Sequence, residues 1–148
     1  PYCGFAREFN AMTGTKEIVF ASIKGISEEV FIKYCNGKLV AVMRAAKEKI
    51  GNLSIEGYMG DCIFEAIRKN GDFYEKEVLE KWGAYLLNCK LIIDIGAHIG
   101  NDVLYWSEEL PETDIYAYEP DAFMYDRLIN NIKRNGLENV KAFNKDQK

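Results

Sequence analysis

The sequence predicts an α/β chain in which a short parallel sheet follows an antiparallel hairpin and helical extension. Three observations predict it. Apolar strand patterns recur at 91–95, 114–119 and 139–143, with helical patterns between them. A glycine-bearing turn, Gly96-Ala97-His98-Ile99-Gly100, joins the first of these strands to the first of these helices. Further upstream, Asn36-Gly37 stands between two apolar runs, the strongest short hairpin signal.

The elements follow in order. Residues 1–15 are weakly patterned, with a turn at Thr13-Gly14-Thr15. Ile18-Val19-Phe20-Ala21-Ser22-Ile23 is rich in β-branched and apolar residues and reads as a strand. Pairing outward from Asn36-Gly37 sets Tyr34 opposite Leu39, Ile32 opposite Ala41 and Val30 opposite Met43. All six are apolar and share a face, so the hairpin is expected to pack as a covering layer. Residues 44–50 read as a short helix or as a charged loop ending at Gly51-Asn52. Asp61 suits a helix N-cap and Gly71 its left-handed end. Asp72 opens the next helix, where Tyr74, Val78, Trp82, Tyr85 and Leu86 follow helical spacing beside Leu79. The aromatic residues Tyr74, Trp82 and Tyr85 are assigned to the core. After the glycine turn, Asn101 suits an N-cap and Asp102 the first turn, with Pro111 just past the helix end. Pro120 stops the second strand. Met124, Leu128, Ile129 and Ile132 mark an amphipathic helix closed by Asn135-Gly136, with Lys133-Arg134 as its solvated end.

Composition narrows the function classes. Of 148 residues, 48% are hydrophobic and 28% charged, the balance of a globular chain. A net charge of −4 argues against a nucleic-acid partner. No apolar run approaches the length needed to cross a membrane, and no signal-peptide pattern opens the chain. Cys3, Cys35, Cys62 and Cys89 lie far apart, without a C-x-x-C pair, so no metal site is expected. The last three sit in or beside apolar patterns, as buried thiols do, and a reducing cytoplasm is the expected location.

The chemistry concentrates after 91. Leu91-Ile92-Ile93-Asp94-Ile95-Gly96-Ala97-His98-Ile99-Gly100-Asn101 gives a strand, an acid and a glycine turn, which together offer backbone N–H groups near a helix N-terminus. Glu119 follows Gly100 by 19 residues and closes the next strand, a spacing suited to a carboxylate that grips a ribose. Dinucleotide sites want G-x-G-x-x-G, but position 98 is His, which weakens the reading as half of an NAD-dependent dehydrogenase.

The pattern D-x-G-x-x-x-G resembles motif I of class I S-adenosylmethionine (SAM) dependent methyltransferases. With Tyr116-Ala117-Tyr118-Glu119-Pro120, Asn131-Ile132, Asn135-Gly136 and Asn139-Val140 in order behind it, the text resembles the FkbM-type family over 91–143. A weaker echo runs from Tyr74-Glu75 to Trp82. The resemblance implies a Rossmann-like SAM-dependent methyltransferase fold, incomplete because only the first three parallel strands fit before Lys148. It implies SAM as cofactor, held by Asp94, Gly96, Ala97, His98, Gly100, Asn101, Glu119 and Pro120. In that reading Gly96 lets the backbone approach the ligand and Gly100 lets the following helix pack closely. Asp94 orients the ammonium group, Glu119 takes the ribose hydroxyls, and Tyr118 and Pro120 border the adenosine. Plainer roles compete: Asp94 as a turn cap, Glu119 as an ordinary strand-end carboxylate. His98 suits shaping of the loop more than general base catalysis. Asp146 is the acid nearest the end of the third strand and is not assigned.

The expectation is therefore a SAM-dependent methyltransferase acting on an oxygen of a small molecule or sugar, with no catalytic base identified. Residues 1–57 would form an extension with the hairpin, and 58–148 the helices and cofactor half. A homo-oligomer through the open sheet edge is a further expectation. The rival is a non-catalytic structural or interaction module that retains a methyltransferase-like fold.

Overall fold

The computed structural model describes residues 6–9, 18–21, 29–35 and 38–144, with side chains from 44 onward. The expected turns at Thr13-Gly14-Thr15 and Asn36-Gly37, and Asp146, lie outside the described residues. Two compact units emerge: 1–46 with 57–61, and 47–56 with 62–148.

Strands β1 (Ala6–Phe9), β2 (Ile18–Ala21), β3 (Glu29–Cys35), β4 (Lys38–Ile50) and β5 (Leu53–Tyr58) form one sheet in chain order. β1 arises where the sequence showed only weak patterning. The β3–β4 pairing is antiparallel, and Tyr34 does face Leu39. Beyond that pair the expected register fails, because an irregularity between Lys33 and Tyr34 sets Ile32 opposite Val42 and Val30 opposite Arg44. One unmatched residue shifts all later pairs, as a β-bulge does. The stretch 44–50 is neither helix nor loop but the second half of β4. Its Ala, Lys and Glu residues favour helix locally, and pairing within a sheet overrides that preference.

In the second unit, α1 (Cys62–Asn70) buries Phe64 and Ile67 and ends at Gly71, whose φ is 66°. α2 (Lys76–Leu86) starts later than Asp72 and is preceded by Glu75. It buries Leu79, and a Cβ on Gly83 would sit 3.8 Å from the Trp106 ring. The inward stripe is thus Leu79 and Gly83, one helical turn apart. Trp82 and Tyr85 occupy the neighbouring stripe and are exposed, Tyr85 by 77%, which overturns their assignment to the core. Cys62 is exposed and Cys89 half-buried, so neither is the fully buried thiol expected.

β6 (Leu91–Ile95), α3 (Asn101–Glu109), β7 (Asp114–Tyr118), α4 (Ala122–Asn135) and β8 (Val140–Phe143) make the predicted β–α–β–α–β half of a Rossmann-like fold. The sheet runs β6-β7-β8, all parallel. Ile92, Ile115, Ala117 and Val140 are buried on one of its faces. On the other, Leu91, Ile93 and Ile95 are exposed, Ile95 by 78%. Gly100 precedes α3 at φ 94°, and a Cβ there would lie 2.8 Å from Leu128 Cδ1 on α4. Asp121 caps α4 by accepting from the N–H groups of Phe123 and Met124, and Gly136 ends it at φ 62°.

α4 also holds β5. Asn135 Oδ1 accepts from Ser54 N (2.8 Å), and its Nδ2 donates to Ser54 O (2.8 Å). One turn earlier, Asn131 Oδ1 accepts from Glu56 N (2.8 Å), while its Nδ2 donates to Glu56 O (2.9 Å) and Ile99 O (2.8 Å). Two side-chain amides one helical turn apart thereby match strand residues two apart and stand in for a neighbouring strand. Glu56 is buried and ion-paired with Arg127 and Arg134. Arg134 is therefore part of this network rather than a solvated helix end.

Two substitutions test this packing. Asn131→Leu leaves the Glu56 N–H and two carbonyls buried without partners, and the unfolding free energy from urea titration is expected to fall by about 3 kcal/mol. Gly100→Ala combines a left-handed φ with overlap on Leu128, and the same titration is expected to show a loss of about 2 kcal/mol.

Candidate functional site

The carboxyl ends of β6 and β7 lie side by side, with Ile95 paired to Tyr118. In an open parallel sheet, ligands bind beyond such strand ends. The turn after β6 is fastened to the end of β7. Gly96 N–H and Ala97 N–H both donate to Tyr118 O, at 2.8 and 3.0 Å, and His98 N–H donates to Glu119 Oε2 at 2.7 Å. Glu119 Oε1 accepts from Asp121 N–H at 2.8 Å. The buried Glu119 carboxylate is therefore held by one amide from each loop, and each oxygen keeps a further acceptor position.

Three of the turn amides expected to greet a ligand are thus committed to β7 and Glu119. The donors that helix geometry leaves without an intrahelical acceptor are those of the first turn of α3. Gly96 earns its place by conformation rather than clearance: its φ is 89°, and a Cβ there would meet nothing within 4 Å. Gly100 fills the packing role read from the sequence. His98 is left-handed as well, at φ 52°, which places it in a strained turn.

Asp94 ends up half-buried on the covered side of β6, and its Oδ2 is buried with no hydrogen-bond partner. Burial, with the nearby Asp102 and Glu119 carboxylates, pushes its pKa up to about 6. An unpartnered carboxylate beside two further acids makes a place that a cation would stabilise. Among the described residues, no group of His, Cys, Asp and Glu side chains forms a metal-binding cluster.

Asn101 departs from its expected part. Gly100 is the N-cap of α3, and Asn101 is buried inside the first turn. Its Oδ1 accepts from Tyr74 N–H (2.9 Å), and its Nδ2 donates to Tyr74 O (3.1 Å) and to Asp102 Oδ1 (2.7 Å). Helical spacing assigned Tyr74 to the core and carried no sign of this link. Pro120 is exposed after β7, and Ala97 is buried beneath the turn. The Tyr118 ring stacks on Phe143 at 4.9 Å between centroids. Direct bonds thus tie the turn residues Gly96, Ala97 and His98 to the end of β7 at Tyr118 and Glu119.

No family model matches the chain, and no curated protein matches it. Among solved structures, the chain is similar to TYW2 of P. horikoshii in complex with MeSAdo, at 16% identity and a TM-score of 0.49, covering 84% of this chain and 39% of that one. It is also similar to TYW2 of M. jannaschii in complex with AdoMet, at 16% identity and a TM-score of 0.46, covering 84% of this chain and 47% of that one. The chain spans less than half the length of either structure. No described helix is long and apolar enough to cross a membrane.

Proposed function

We propose that this chain carries the SAM-binding half of a methyltransferase, with the nucleotide lying across the turn after β6. One observation carries the reading: Asp94 presents a buried, unpartnered carboxylate oxygen at this turn, on the strand next to the one that ends at the fixed carboxylate of Glu119. SAM brings a fixed positive charge on sulfur, an ammonium group and a ribose diol. The ammonium group and the diol suit the two acids in type. Asp94 would hold the ammonium, and Asp102 adds negative potential beside it. Glu119 would accept from the ribose hydroxyls with the positions its two amide bonds leave open. The first-turn amides of α3 would face the carboxylate.

When bound, SAM supplies a methyl group on a cationic sulfur, activated for in-line displacement. The chain's own share is to bind and orient it, which is a large part of the acceleration in such reactions. The finer reading, transfer to an oxygen of a small molecule or sugar, rests on the resemblance of 91–143 to the FkbM-type family.

Calorimetric titration with SAM, S-adenosylhomocysteine and NADH tests the proposal. SAM and S-adenosylhomocysteine are expected to bind; failure of both would leave the non-catalytic module, and binding of NADH alone would favour a dehydrogenase half. Glu119→Gln should weaken SAM binding by roughly 1.5–3 kcal/mol and also lower the melting temperature, because the amide nitrogen cannot accept from one of the two backbone N–H groups.

Asp94 makes the binding pH-dependent. Its folded pKa of about 6 lies above the ordinary 3.8, so the ligand-free chain holds this proton more tightly when folded. That contribution to stability is complete below about 3.8 and is lost as pH rises through about 6. A cationic ligand needs the ionised form, so SAM affinity is expected to fall about tenfold between about pH 7.5 and about pH 5. In Asp94→Asn that decline should disappear, and the ligand-free variant should melt higher than the parent near neutral pH. A decline of equal size in the variant would assign the titration to another group.

A further inference from the structure

Among the described residues, two non-glycine positions have left-handed φ: His98 in the turn after β6 and Glu75 just before α2. Such strain persists where surrounding contacts enforce it, and it collects around ligand sites. Glu75 adjoins a residue bonded to Asn101, and His98 is near Asn101 along the chain, three residues upstream of it. Glu75 directly follows Tyr74, whose backbone N–H and C=O are both engaged by the Asn101 side-chain amide. A buried carboxamide that closes a two-way bond on one residue fixes that residue as a strand partner would.

The rest of the turn is fastened from its own side. Asp72 Oδ1 accepts from Phe73 N–H at 2.9 Å, and its Oδ2 pairs with Lys76 at 2.9 Å. The Phe73 ring meets Tyr105 of α3 edge-on at 5.3 Å. The neighbouring Glu75 side chain holds the pKa of the Tyr74 hydroxyl above its usual value. Glu75 is exposed, with a helical N-terminus behind it and no capping bond from its side chain.

The location of the clamp assigns the turn to one end of the nucleotide. Asn101 also donates to Asp102, and Asp102 is the carboxylate that Asp94 feels most strongly, ahead of Glu119. The clamp therefore adjoins Asp102, one of the two carboxylates beside Asp94. We infer that Asn101 is a positioning residue that holds residues 72–75 as the wall at the aminoacyl end of the nucleotide site. This rests on the nucleotide reading above. The Asn101 side chain is spent on the protein and makes no contact with the ligand.

The test compares ligands with and without the aminoacyl chain. In Asn101→Ala, affinity for SAM and for S-adenosylhomocysteine should fall about tenfold, and affinity for adenosine less than about twofold. A merely structural role would weaken all three together, and that parallel loss overturns the inference; so does an unchanged SAM affinity. Hydrogen exchange in the unmodified chain gives a second reading that needs no variant to fold. SAM should slow exchange of the Tyr74 amide at least about fivefold, and adenosine should not. An equal response to both ligands, or to neither, overturns the inference. If the unmodified chain binds adenosine and SAM equally well, the wall is absent while the nucleotide site stands. If it binds none of the three, the nucleotide reading falls, and this inference with it.

Discussion

Asn131 is fully buried, and its carboxamide joins three pieces of chain that are far apart in sequence: β5 at Glu56, α4 from which it projects, and the glycine turn at Ile99. Each partner is a backbone group that would otherwise be buried without a bond, which makes the arrangement all-or-none. β5 can lie against α4 because Asn131 and Asn135 supply the bonds that a neighbouring strand would. The turn can hold its left-handed residues because Ile99, between His98 and Gly100, is tied to the same amide. The ion pairs of Glu56 with Arg127 and Arg134 sit on this frame. Charges so deeply placed need every partner, so they add specificity of packing more readily than net stability.

A polar spine thus underlies a site whose own electrostatics are unfavourable. Asp94, Asp102 and Glu119 bring negative charge to one turn, and burial raises the cost for Asp94. The fold tolerates this because Glu119 is stabilised by two amide donors and because Asp94 can take up a proton. Under the proposed function, a bound cation would replace the proton and satisfy the buried oxygen. The turn that strains His98 also holds Glu119 through the His98 N–H.

Among the described residues, the parallel sheet is buried on one face and exposed on the other. Leu91, Ile93 and Ile95 of β6 are exposed, as are Trp82 and Tyr85 of α2. Parallel strands are ordinarily covered on both faces, and their near-continuous apolar text reflects that. The run Leu91-Ile92-Ile93 has this character, although the described residues bury only Ile92 of the three.

Local order was legible in the sequence. The β–α–β–α–β alternation, the turn at 96–100, the left-handed ends at Gly71 and Gly136, and the tight packing at Gly100 all follow from periodicity and from backbone freedom, which neighbouring residues fix. The candidate site was legible to the same extent, because Asp94 and Glu119 sit at strand ends that a parallel pairing must bring together. Tertiary structure decided the rest. Which of two adjacent stripes on α2 turns inward depends on Trp106 meeting Gly83, far along the chain. Whether 44–50 is helix or strand depends on a pairing partner, and a single unmatched residue moved the β3–β4 register. The buried bonds of Asn101 to Tyr74, and of Asn131 and Asn135 to β5, span 27 to 81 positions. An asparagine looks the same in sequence whether it faces water or closes such a bond. Only the fold supplies the backbone groups that make its amide indispensable.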